Sequence, residues 1–84
     1  MKLLYFAWLR DRIGVGEEEI VLPPHLVTLA DLMTWLSQRN ESYALAFEDK
    51  ASIRAAMNRV HVQDTSKPLA GVEEIAFFPP MTGG

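Results

Sequence analysis

Leu29, Leu32, Met33 and Leu36 recur at i, i+3, i+4 and i+7, the spacing of one apolar stripe on one helix. Thr28 offers an N-cap hydroxyl ahead of the stripe and Asp31 an acid in the first turn. The spacing therefore predicts a helix beginning at Thr28 and closed by Gln38-Arg39-Asn40. Most of the remaining apolar sequence reads as strand. Residues 3–9 form a continuous apolar run, with Leu4, Phe6 and Trp8 facing one way and Leu3, Tyr5, Ala7 and Leu9 the other. Residues 10–16 then predict a turn, and residues 17–22 a returning strand that Pro23-Pro24 ends. Residues 43–47 have room for one more helical turn. Residues 53–57 and 60–62 flank Asn58-Arg59 as a hairpin, since Asn tolerates positive φ. Residues 73–78 form the last strand.

One amphipathic helix covers only one face of a sheet of about five strands. The first and last strands are nevertheless apolar on both faces. The expected architecture is an α+β domain with about five strands in a mixed sheet and one main helix on one face. The other face calls for a cover supplied by a partner.

The last strand runs into Phe77-Phe78-Pro79-Pro80-Met81-Thr82-Gly83-Gly84. Proline lacks the backbone N–H and fixes φ, so Pro79-Pro80 stop the strand and hold the exit extended. Gly83 and Gly84 carry no side chain, fit a channel too narrow for a Cβ, and leave a terminal carboxylate open to approach from either side. The chain thus divides into a folded domain, residues 1–78, and an extended tail, residues 79–84, shaped for insertion into another protein.

Several function classes are disfavoured. A net charge of −3 lacks the basic stripe a nucleic-acid binder needs. No run of 18 apolar residues could span a membrane. The apolar residues after Met1-Lys2 are followed by Arg10-Asp11-Arg12 and no small-residue cleavage site, so the expected location is the cytoplasm. With no cysteine, the chain has no disulfide, thiolate metal site or cysteine nucleophile. His25 and His61 are the only histidines and do not form a ligand pair, so no metal site is expected. Residues 17–19, three glutamates, read as solvated surface. His61 alternates with Val60 and Val62 on the opposite sheet face, a position for touching a partner.

The first strand with Leu4-Tyr5-Phe6-Ala7 and Leu9-Arg10, Asn58 at the hairpin, and Ile75-Ala76 leading into the tail resemble the MoaD-like family of small, sulfur-carrying subunits of molybdopterin synthase. The resemblance spans essentially the whole chain and is most specific in its last ten residues. It departs at Gly71-Val72-Glu73-Glu74, where the family usually carries Asp-Gly-Asp-Glu. The resemblance implies a ubiquitin-like β-grasp fold with the first and last strands parallel at the sheet centre.

It also implies a chemistry. A terminal carboxylate is ionised at neutral pH and has no leaving group. An E1-like adenylating enzyme using ATP would activate Gly84 as an acyl-adenylate, and a sulfur donor would convert it to a thiocarboxylate. The tail (Met81, Thr82, Gly83, Gly84) would then enter the large subunit of molybdopterin synthase and give its sulfur to cyclic pyranopterin monophosphate. Phe78, Pro79, Pro80, Arg10 and His61 are the expected partner-binding residues. The chain would be a non-catalytic carrier in a heterotetramer, with no permanently bound cofactor. A thiamine-type sulfur carrier or ubiquitin-like modifier would share the Gly-Gly end, and a non-carrier β-grasp binding module would have no use for it.

Overall fold

In the computed structural model, which describes residues 1–80, the helical stripe and the apolar strands meet in one core. The strands are β1 (Lys2–Tyr5), β2 (Glu17–Glu19), β3 (Arg54–Met57), β4 (Val60–Val62) and β5 (Glu74–Phe78). They form one mixed sheet in the order β2-β1-β5-β3-β4. The two most apolar strands, β1 and β5, lie side by side and parallel, with Leu3 opposite Ile75 and Tyr5 opposite Phe77. The parallel pair needs a long crossover, and everything between residues 6 and 73 supplies it.

The main helix is α2 (Leu29–Ser37), and all four stripe residues are buried. Its start is a reciprocal capping box: Thr28 Oγ1 accepts from the Asp31 N–H, and Asp31 Oδ2 accepts from the Thr28 N–H. Backbone hydrogen bonds from Val27 and Thr28 hold the Asp31 carboxyl below its ordinary range.

Two short helices accompany α2: α1 (Ala7–Ile13) and α3 (Glu41–Ala46). The second extends the turn expected at residues 43–47, capped by Asn40 Oδ1, which accepts from the Tyr43 N–H. The first corrects the sequence reading, because the apolar run from Leu3 to Leu9 is strand only as far as Tyr5. Phe6 stays extended and Ala7 takes a positive φ of 53°, which breaks the strand and turns the chain into a helix. Over so short an apolar run, alternation does not distinguish a strand from a buried helix. The i, i+4 pairs decide it: Arg12 sits over the Trp8 ring at 4.3 Å, and Leu9 is buried four residues before the partly buried Ile13. Gly14, at φ 98°, closes α1 with its N–H on the Arg10 carbonyl.

All three helices join the core on the side of Leu3, Tyr5, Ile75 and Phe77. The other sheet face presents Leu4, Ala56, Ala76 and Phe78, all partly exposed, with exposed Arg54 and His61. Among the described residues no helix lies on it. The additional helices thus leave this face open, as the sequence suggested, because they pack beside α2 instead of opposite it.

The Asn58-Arg59 turn forms as expected, with φ values of 50° and 69°. Asn58 does more than turn the chain. Its Oδ1 accepts from the N–H groups of Glu73 (2.9 Å) and Glu74 (3.1 Å), latching the hairpin to the start of β5. Asn58→Ala loses both bonds and the residue best suited to that φ. It is expected to lower stability by about 1–3 kcal/mol, read from the denaturant midpoint. An unchanged midpoint would show that the latch contributes nothing.

Candidate functional site: the root of the tail

Where β5 ends, alternate side chains do different work. Phe77 points inward and is fully buried, stacked on Tyr5 at 6.1 Å between centroids and edge-on to Phe47 at 5.2 Å. The Phe6 N–H donates to the Phe77 carbonyl at 3.1 Å, tying the root of the tail to the start of α1. Phe78 points to the open face. Beyond it, Pro79 and Pro80 are partly exposed and lie outside the ladder, as residues without a backbone donor must. Met81, Thr82, Gly83 and Gly84 lie outside the described residues.

Of the expected partner contacts, Phe78 and His61 come together. Their ring centroids are 6.0 Å apart, although β3 separates their strands. His61 is exposed and pairs with Ala56, which pairs in turn with Ala76. Arg10 is placed elsewhere. It is exposed on α1 and runs against Gly16, where a methyl group would sit 3.4 Å from its Nε. Gly16 leads into β2, so Arg10 and His61 lie toward opposite edges of the sheet.

One residue at the site escaped the sequence reading. Arg54 begins β3 and, because β3 is antiparallel to β5, stands directly opposite Phe78 on the open face. The register of that pair was the signal, and only the assembled sheet supplies it.

A second correction concerns the glutamates at residues 17–19. Glu17 and Glu19 are exposed, but Glu18 pairs with Leu3 and turns toward the core side, its side chain 18% exposed. Its Oε2 accepts from the hydroxyls of Tyr5 (2.8 Å) and Tyr43 (2.6 Å), and its Oε1 accepts from Arg39 Nη1 (2.9 Å). Burial by itself would raise the Glu18 carboxyl. The bonds from Tyr43, Arg39 and Tyr5 outweigh burial and hold it below the ordinary carboxylate range. Burial and the Glu18 charge push the Tyr43 hydroxyl up to about 12 and the Tyr5 hydroxyl still higher. Glu18 thus braces Tyr5, the residue on which Phe77 stacks.

The site offers an aimed exit beside an apolar patch. Among the described residues no three His, Cys, Asp or Glu side chains gather to hold a metal ion. The groove lined by Leu22, Pro23, Leu26, Pro68, Leu69 and Val72 lies at the end where β5 begins, away from the tail root.

The ThiS family model matches residues 3–84. Over 84 residues the chain is 34% identical to the molybdopterin synthase sulfur carrier subunit of Escherichia coli (strain K12), covering 100% of this chain and 99% of the relative. It is 37% identical to the protein of the same name from Haemophilus influenzae, with the same coverage. Among solved structures, a putative molybdopterin converting factor, subunit 1, from Pyrococcus furiosus superposes with a TM-score of 0.73 at 29% identity, covering 95% of each chain. SAMP1 from Haloferax volcanii superposes with a TM-score of 0.72 at 22% identity, covering 100% of this chain and 98% of that one, and shows the fold. The fold is the ubiquitin-like β-grasp.

Proposed function

The chain belongs to the ThiS family, and from that premise we propose that it is the sulfur-carrier subunit of a molybdopterin synthase. The observation that carries the proposal is the full-length similarity to two relatives bearing that name. The tail root supports it, because β5 delivers Pro79-Pro80 at the edge of an apolar face.

In this reading the Gly84 carboxylate oxygen attacks the α-phosphorus of ATP on an E1-like adenylating enzyme, releasing pyrophosphate. Hydrosulfide then attacks the acyl carbon, AMP leaves and the S–H proton goes to solvent, so the terminus becomes a thiocarboxylate. Met81, Thr82, Gly83 and Gly84 enter the large subunit, and the sulfur passes to cyclic pyranopterin monophosphate. The catalytic acids and bases belong to the partners. This chain contributes a folded base, an extended exit and a terminus slender enough to be inserted.

The open face of Leu4, Ala56, Ala76, Phe78 and His61 is the surface the large subunit covers in a cytoplasmic heterotetramer. Arg10, near the other edge, is a contact at its margin. The test is pyrophosphate release by the cognate adenylating enzyme in the presence of ATP and the chain. Release that depends on the chain and disappears when Gly84 is deleted supports the reading. Release that is indifferent to Gly84 overturns it.

A further inference from the structure

We infer that Arg54 selects the large subunit by charge: the partner presents a carboxylate to it at the root of the tail. The inference rests on the carrier reading above and deepens it.

The charges on the open face are not equivalent. Lys2 Nζ lies 3.4 Å from Glu17, and Arg59 Nε lies 3.8 Å from Glu74. Both cations therefore have a counterion within the chain. Arg54 has no carboxylate within 4.0 Å and no side-chain hydrogen bond among the described residues. It is exposed, and it stands in register with Phe78, one residue before the prolines.

Its position puts Arg54 in the path of a partner. A protein that receives the tail along Pro79-Pro80 has to pass over the end of β5, and the neighbouring strand there begins with Arg54. The surrounding groups on this face are apolar or aromatic: Phe78 beside it, then Ala76, Ala56 and Leu4, with His61 against Phe78. Covering such a patch removes water from the guanidinium. A guanidinium stripped of water loses stability unless acceptors replace that water, and a carboxylate is the acceptor that also cancels its charge. Arginine suits the task, because its planar fork matches a carboxylate in two-point contact. Charge complementarity at this spot also discriminates against proteins that offer a basic or purely apolar surface.

The test is a titration of the full-length carrier with its large subunit, at low and high ionic strength, for the wild type and for Arg54→Glu, Arg54→Ala and Arg54→Lys. Lys67→Glu, on an exposed loop, serves as the control for net charge. Arg54→Glu is expected to weaken binding roughly 10- to 100-fold. Arg54→Ala should weaken it less and flatten its salt dependence, Arg54→Lys should keep most of the affinity, and Lys67→Glu should match the wild type. Should Arg54→Glu fail to fold, the Arg54→Ala salt dependence carries the test. Wild-type binding with Arg54→Glu equally tight, or with Arg54→Ala unchanged in salt dependence, overturns the inference and leaves the carrier reading standing. A wild-type chain that does not bind the large subunit at all overturns both.

Discussion

Phe77→Ala is expected to lower the free energy of unfolding by about 3–5 kcal/mol, the cost of truncating a fully buried aromatic side chain. The ring fills the space between Tyr5 and Phe47 and touches both, so its loss leaves a cavity that neither neighbour can fill without leaving its own packing. A domain of this size has roughly 5–15 kcal/mol of stability in all. The thermal midpoint should therefore fall by more than about 12 °C, at about 4–8 °C per kcal/mol. The consequence reaches function, because Phe77 anchors the strand that delivers the tail. Its neighbour Phe78 provides the contrast: it faces outward and is only partly buried, so alanine there should cost far less stability. A Phe77→Ala midpoint within a few degrees of wild type would show that the aromatic cluster does not hold the tail root.

Glu18→Ala is expected to cost about 2–4 kcal/mol, because it strands three donors at once. The Tyr5 hydroxyl belongs to a residue only 1% exposed, and Arg39 loses its carboxylate at 2.9 Å. The same carboxylate predicts a pH dependence. Its folded-state value is depressed, so the unfolded chain takes up the proton first as pH falls. Glu18's contribution is complete above the unfolded-state value, about 4.3, and is lost as pH falls through the lower folded-state value. The denaturant midpoints of wild type and Glu18→Gln should differ most near neutrality and converge in acid. A difference that stays constant down through that window would contradict the assignment.

Phe77 was legible in the sequence as a residue of the last strand, and Glu18 was not. The α2 stripe, its Thr28 cap and the hairpin turn could be read directly, because each depends on residues within a few positions of one another. The parallel pairing of the first and last strands at the sheet centre followed from the family resemblance, since the residues themselves showed only that both strands are apolar on both faces. The α1 helix was hidden, since the run from Leu3 to Leu9 satisfies strand alternation and its helical contacts, Trp8 with Arg12 and Leu9 near Ile13, reach past the run. Glu18 was hidden for a different reason. Its partners come from residues 5, 39 and 43, and nothing local separates it from its two exposed neighbours. Arg54 is the same case at the tail root, since its meaning comes from the register with Phe78 across 24 residues of chain.

On the reading proposed above, this chain carries sulfur on its own terminus. The most direct measurement is the intact mass of the full chain after incubation with ATP, the cognate adenylating enzyme and a sulfide source. A gain equal to the replacement of one oxygen by one sulfur is expected, absent from a chain lacking Gly84. No gain, with an adenylating enzyme that converts a control carrier in the same mixture, would contradict it.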